Sequence, residues 1–364
     1  MEQIPLYQHI VNALTAQIES GELQAGDQLP TEAEISKEYN VSRITSKRAL
    51  TELENAKLIY RIQGKGSFVS TDRAPHRPLG KTNKEILLIL PFTHNPGLGD
   101  YEKGINEFLA TTDYTLNIQS NTIVGQRKLL EAALQSANSG LILYPISSIS
   151  DLGILYQYHL AKYPLVTMDK CIEGIPFQSV VSDNFDGGYL ASKHLIENNH
   201  KKIAFISSLK VENSSSIRER YFGYLKALYD YSLIDYSVSD LTDRYLTHDN
   251  DNGREYYIQF IQSVVTQGIT GIVAENDLIA IEIIQIAKEL GLSVPEDFSI
   301  VGFDNIHLAS FIEPKLTTIF QDFGQMGYQA AQSLITLIEN SLDQPNENVV
   351  VPVRLIERQT VKKL

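Results

Sequence analysis

The chain has 364 residues, room for two or three domains with sizeable cores, and a formal net charge of −13. One cysteine, Cys171, excludes an internal disulfide framework, and the lack of any long apolar run excludes a membrane-spanning helix. The N-terminus carries no basic segment followed by an apolar one, so the expected location is the cytoplasm. The charge is unevenly spread: residues 1–84 hold 11 Lys and Arg against 10 Asp and Glu, whereas residues 85–364 hold 20 against 34.

In chain order, the first strong signal lies between Leu29 and Val69. Thr31 and Glu34 fit a capping box, in which hydroxyl and carboxylate each take one orphan amide of a new helix. A second helix start follows at Ser42, a preferred cap residue. On that helix the spacing predicts Ala49, Leu50 and Leu53 on one face, and Arg43, Ser46 and Lys47 on another. Leu58 to Val69 then reads as two short strands joined through Gln63-Gly64-Lys65-Gly66. Six cations stand against two acids between Ser42 and Lys65. Two short helices, the second cationic, followed by a hairpin suit a winged helix-turn-helix that reads double-stranded DNA. Arg43 is the expected guanine-reading fork. Thr45 and Lys47 suit phosphates, Ser46 and Arg48 complete the helix face, and Gly64, Lys65 and Gly66 form the wing tip. The competing view of these residues is a solvated cationic helix face.

The segment resembles the DNA-binding domain of the GntR family of bacterial transcription regulators. The matching residues are Pro5-Leu6-Tyr7, Gly21, Gly26-Asp27-Gln28-Leu29-Pro30, Val41-Ser42-Arg43, Thr45, Ala49-Leu50 and Gly64-Lys65-Gly66-Ser67-Phe68-Val69. Two positions depart from the family: Ala33 and Lys47 stand where it often has arginine. Without two forked donors, the operator of relatives that have both does not transfer to this chain.

Residues 71–84 are polar, hold two prolines and show no apolar period, as a linker would between a head (1–70) and a body (85–364). Beyond it, short apolar runs alternate with amphipathic helical stretches: Ile86–Leu90, Gly140–Tyr144, Leu165–Met168, Ile203–Ser207, Ile269–Ala274 and Phe298–Phe303. Such alternation predicts parallel sheets covered by helices on both faces. The length predicts two doubly wound parallel-sheet sub-domains with a cleft between them, ligands binding beyond the strands' carboxyl ends.

This region resembles the sugar-binding core of the LacI/GalR repressors, related to periplasmic sugar-binding proteins. The matching blocks include Val181–Gly188, His200–Ile206, Arg218–Tyr224, Glu275–Ala280, Gly291–Asp297, Ile300–Asn305, Leu316–Gln321 and Val353–Arg358. The resemblance implies effector contacts at Asp169, Arg220, Asn276, Asp304 and Gln321. Carboxylates, a guanidinium and amides suit a polyol, and Phe92, Tyr144 or Phe303 are candidates to cover apolar ring faces. The bland alternatives are a turn at Asp304 and a helix cap at Asn276. Asp183 and Asn184 read as a structural cap.

A GntR-type head on a LacI/GalR-type body resembles the arabinose-responsive repressors. The pairing implies a homodimer on an inverted-repeat operator, released by a sugar for which L-arabinose is the first expectation. The opposite sign, a ligand acting as corepressor, stays open. A solute-binding protein would fit the body alone, and an enzyme would need more than Asp169 and Asp304. No metal or cofactor is expected: the eight histidines form no ligand motif, and Asp249–Gly253 is a poor calcium loop because position twelve is Phe260.

Overall fold

In the computed structural model Thr31 and Glu34 form the expected capping box: the Thr31 amide donates to Glu34 Oε2 at 2.7 Å and the Glu34 amide to Thr31 Oγ1 at 3.3 Å. The structure describes residues 5–19, 22–24, 26–55, 58–62, 65–70, 83–90, 98–120, 125–242, 253–339 and 347–364. Gly64, Phe92, Asp249–Asn252 and residues 71–82 of the expected linker lie outside them. The chain divides into two units, one built on Met1–Asn83 and one on Lys84–Ala133 with Asn138–Leu364.

The first unit holds α1 (Leu6–Glu19), α2 (Glu32–Glu38), α3 (Arg43–Asn55) and an antiparallel pair, β1 (Ile59–Ile62) and β2 (Gly66–Val69). Ile10 and Leu14 of α1, Ile35 of α2, Leu50 and Leu53 of α3, and Ile59 and Val69 of the wing share one core. Gly66 has a φ of +118°, which lets the chain turn into β2, and Gln28 Nε2 donates to the Lys65 carbonyl at 2.9 Å.

The second unit is two six-stranded α/β lobes. The first lobe comprises β3 (Asn83–Leu90), α4 (Leu98–Leu109), β4 (Thr115–Ser120), α5 (Gln126–Leu134), β5 (Asn138–Leu143), α6 (Leu152–Leu160), β6 (Leu165–Met168) and β7 (Gln178–Ser182). The second comprises α7 (Asn184–Glu197), β8 (Ile203–Ser207), α8 (Ser215–Asp230), β9 (Val238–Leu241), α9 (Gly253–Gln267), β10 (Gly271–Ala274), α10 (Asp277–Glu289), β11 (Ser299–Asp304) and β12 (Thr317–Phe320). The chain then returns to the first lobe for α11 (Phe323–Glu339) and β13 (Val349–Val351), and ends in the second with β14 (Arg354–Ile356). The sheet orders are β13-β7-β6-β5-β3-β4 and β14-β12-β11-β10-β8-β9. The six apolar runs fall on β3, β5, β6, β8, β10 and β11, and β14 pairs antiparallel with β12 at one edge.

Each lobe fastens its cleft-side helices through glycine. A Cβ on Gly104 of α4 would stand 1.9 Å from the Gly324 carbonyl oxygen of α11, and one on Gly188 of α7 would stand 2.0 Å from that of Arg220 in α8. Backbone therefore touches backbone at both crossings, immediately beyond the segments that join the lobes.

Candidate functional site

The head presents a helix face first. Ser42 Oγ accepts from the Thr45 amide at 3.2 Å, so α3 opens at the expected cap. Arg43, Lys47 and Arg48 are exposed on α3, and Lys65 on the wing. Arg48 also lies over the Tyr7 ring, 4.0 Å from its centroid. Ser46 corrects the sequence reading. It is 0 % exposed and donates to the Ser42 carbonyl at 3.4 Å, so it offers nothing to a groove. The reason is geometric: Ser46 stands three, four and seven residues before Ala49, Leu50 and Leu53, on their stripe rather than opposite it. The reading missed Ile44, which is 82 % exposed beside Arg43. An apolar residue one step into a cationic helix, off its core stripe, was the signal. Arg61 is drawn inward by Glu54 at 3.1 Å and Glu32 at 3.6 Å.

In the body, two strands end in aspartates with left-handed backbone: Asp169 after β6 (φ +74°) and Asp304 at the end of β11 (φ +113°). Asp169 is buried and accepts from Lys170 Nζ at 2.7 Å and from the Tyr144 hydroxyl. Burial pushes its carboxyl up, but the Lys170 and Arg220 cations and these hydrogen bonds outweigh burial and hold it below the usual range. Asp304 goes the other way. Burial drives its carboxyl well up, Arg220 opposes, and Asp277, Asp169 and Glu275 add to the rise. One carboxyl is thus held low and the other pushed up, so the two differ in how readily they accept or donate.

Arg220 of α8 lies between them in the charge pattern. Its Nε donates to Asn184 Oδ1 at 2.8 Å, its Nη1 to the Glu275 carbonyl at 2.5 Å, and its plane sits 3.6 Å from the Phe303 ring centroid. Nη1 stands 3.8 Å from Asp304 Oδ1. Asn184 is therefore not a cap but the orienting partner of Arg220, while Asp183 caps α7 as expected, accepting from the Asp186 amide at 3.0 Å. Phe303 is a platform under the guanidinium and is buried, so it has no ring face to offer a sugar. Asn276 realises the helix-cap alternative: Oδ1 accepts from the Ile279 amide at 2.9 Å and Nδ2 donates to Glu275 at 3.2 Å. Gln321 Nε2 donates to Asp304 Oδ1 at 3.1 Å, and its buried Oε1 has no partner among the described residues.

One residue absent from the sequence reading belongs here. Tyr101 of α4 packs 6.2 Å from the Tyr144 ring and 4.8 Å from Phe323, and its buried hydroxyl has no hydrogen-bond partner among the described residues. The lobes meet over the cleft: the Ser215 amide donates to Ser148 Oγ at 2.8 Å, the Cys171 amide to Ser215 Oγ at 2.9 Å, and Arg218 pairs with Glu173 at 2.6 Å. A groove of about 580 Å³, bordered by Asp100, Glu107, Asn305 and Tyr328, opens onto Asp304 and Gln321.

Asp277 supports the turn that carries Asp304. Its oxygens accept from Thr318 Oγ1 at 2.5 Å and the Ile306 amide at 2.8 Å, and burial pushes its carboxyl up to about 7. A carboxyl raised by folding contributes stability that is fully present below its unfolded value of about 3.9 and is lost as pH rises through the folded one. Asp277→Asn keeps both hydrogen bonds, because the Thr318 hydroxyl can accept instead of donate. The advantage of the wild type in melting temperature over this variant is expected to be greatest near pH 4 and to shrink towards pH 7.5. A constant difference across that range would refute the assignment.

A DNA-reading head and a two-lobed body with a polar interlobe cleft define a ligand-controlled transcription regulator. The match to the bacterial regulatory proteins of the gntR family covers residues 6–69, and that to the periplasmic binding protein-like domain covers residues 192–361. An arabinose metabolism transcriptional repressor of Geobacillus stearothermophilus is 30% identical over 370 residues, covering 99% of both chains. A protein of the same name from Halalkalibacterium halodurans is 30% identical, covering 92% of this chain and 89% of that one. Among solved structures, a LacI family transcriptional regulator from Enterococcus faecium with bound ribose is 25% identical, with a TM-score of 0.63, over 77% of this chain and 99% of that one. The chain belongs to the family of arabinose metabolism transcriptional repressors. It is a sugar-responsive repressor whose partners are DNA and a small sugar.

Proposed function

We propose that this repressor is released from its operator by L-arabinose, bound between Asp169 and Asp304. The observation that carries the reading is the polar cluster at the strand ends: Arg220 Nη1 stands 3.8 Å from Asp304 Oδ1, Gln321 Nε2 donates to that oxygen at 3.1 Å, and Asp169 is buried beside Lys170. Carboxyls that accept, with a guanidinium and an amide that donate, match hydroxyls, which do both. Arg220 and Gln321 complete the effector contacts, whereas the Asn276 amide is engaged in capping α10. In the head, Arg43 reads a guanine, Ile44 packs on a thymine methyl, Thr45, Lys47 and Arg48 serve the helix contact, and Lys65 with Gly64 and Gly66 enters an adjacent groove. The head spans residues 1–70, the linker 71–84, and the effector-binding and dimerisation domain 85–364. Two heads of a cytoplasmic homodimer then read the halves of an inverted repeat. The protein binds its sugar without converting it, in keeping with relatives that are regulators. No helix among the described residues is long and apolar enough to cross a membrane.

Sugar shifts DNA affinity only by its differential affinity for two states of the body. The test uses DNA selected by the protein from a random pool, titrated with and without L-arabinose, D-xylose, D-ribose and D-galactose. L-Arabinose is expected to weaken DNA binding by about tenfold or more, within the usual range of such couplings. Tighter DNA binding in sugar would make the ligand a corepressor. No response to any sugar would overturn the cleft assignment.

A further inference from the structure

Among the described residues, few buried side-chain polar atoms lack a hydrogen-bond partner, and two of them belong to residues near Asp304: Tyr101 Oη and Gln321 Oε1. Folded proteins rarely leave such atoms unpaired, and those that persist call for a partner supplied from outside the chain. The Tyr101 ring is held on two sides, by Phe323 at 4.8 Å and by Tyr144 at 6.2 Å, so the hydroxyl has little freedom to turn away. Phe323 stands two residues beyond Gln321, and its amide donates to the Gln321 carbonyl at 3.1 Å, which ties the two orphans to one stretch of backbone. Gln321 in turn is fixed by its bond to Asp304. The phenol is left free to donate or accept, and the amide oxygen to accept. A hydroxyl can meet both.

We propose that Tyr101 is a specificity-determining residue of the effector site, donating to one ligand hydroxyl beside the acceptor offered by Gln321 Oε1. The proposal rests on the cleft reading above and adds to it a residue from the first lobe, on α4. Gln321 lies where the chain passes from β12 of the second lobe to α11 of the first. A ligand hydroxyl engaged by Tyr101 therefore joins α4 to the interlobe segment, and its recognition is coupled to the relative position of the lobes.

The experiment measures binding of L-arabinose and its monodeoxy derivatives to full-length wild type, Tyr101→Phe and Gln321→Met by calorimetry, with melting temperatures of the sugar-free proteins. Tyr101→Phe is expected to leave the sugar-free melting temperature unchanged or slightly raised, because it deletes an unpaired hydroxyl. It is expected to weaken L-arabinose about tenfold, the usual scale for a lost ligand hydrogen bond. One monodeoxy sugar should bind both proteins equally, which identifies the hydroxyl read by Tyr101. Gln321→Met is expected to weaken the parent sugar as well. Equal affinity of wild type and Tyr101→Phe for every sugar would overturn the proposal and leave the cleft reading intact. A fall in the sugar-free melting temperature with an unaltered deoxy profile would make Tyr101 a packing residue only. If L-arabinose fails to bind the wild type, the cleft reading itself fails, and this proposal with it.

Discussion

Arg43→Ala is expected to lower operator affinity by about 30-fold to 10⁴-fold and leave sugar binding unchanged. A bidentate fork on guanine discriminates by about 1–3 kcal/mol, and a dimer on an inverted repeat makes that contact twice. Arg43 is exposed at the first position of α3, so its loss removes no core contact. Asp304→Ala should do the reverse: the protein stays on DNA at any sugar concentration. Asp304→Asn separates charge from shape. If the ligand meets a protonated carboxyl, asparagine keeps one acceptor for Gln321 Nε2 and one donor for the sugar, and affinity stays within severalfold of wild type. Fluorescence anisotropy on labelled operator, with and without sugar, reads all three variants. Loss of both activities in folded Arg43→Ala or Asp304→Ala would refute the division of labour.

Gly188→Ala is expected to be among the most damaging single-methyl changes in the body. The added Cβ would stand 2.0 Å from the Arg220 carbonyl oxygen and 2.7 Å from its carbon, backbone atoms that cannot swing aside. Forcing α7 and α8 apart costs about 3 kcal/mol, the upper end for overpacking in a close-packed interior. It also shifts the backbone of Arg220, whose hydrogen bonds to Asn184 and Glu275 set the position of its cation. The urea midpoint of the body should fall, and sugar affinity should fall further at a temperature where the variant is still folded. By contrast, a methyl at Gly153, with no heavy atom within 4 Å of its added Cβ, should be harmless. Equal stability of Gly188→Ala and Gly153→Ala would refute the role assigned to the helix crossing.

Much of the architecture was legible because its signals are local. The capping box at Thr31 and the cap at Ser42 depend on residues three apart, and both form. The strands recognised as apolar runs are those buried on both faces: β5, β6, β8 and β10 are buried throughout. The strands that gave no such run fail for two physical reasons. Edge strands such as β4 and β9 are half-exposed and mix polar with apolar residues. β7 and β12 are inside but carry serine and threonine, whose hydroxyls find partners only in the fold, as Thr167 with Ser179 at 2.7 Å and Thr318 with Asp277.

The site was legible by residue type more than by role. Asp169, Arg220, Asp304 and Gln321 do gather at the cleft. Asn184, read as a cap, holds Arg220 instead, and Phe303, read as a sugar platform, is covered by it. Ser46 shows that the helical period must be applied to every residue of a helix, the polar ones included. Tyr101 had no distinguishing local pattern, since an aromatic on an amphipathic helix is ordinarily core.

From the sequence alone follow the reading head, the alternation of strands and helices, the division into two kinds of domain, and the set of polar residues available to a ligand. These rest on periodicity, caps and motif order, all carried by neighbours along the chain. Only the tertiary structure decides that the Asp169 carboxyl is held low while burial pushes that of Asp304 up, that Asn276 is committed to a cap, and that Tyr101 and Gln321 each keep one atom unpaired among the described residues. Those properties arise from burial and from charges brought together across the lobes. Field and desolvation depend on distance in space, which spacing along the chain does not encode.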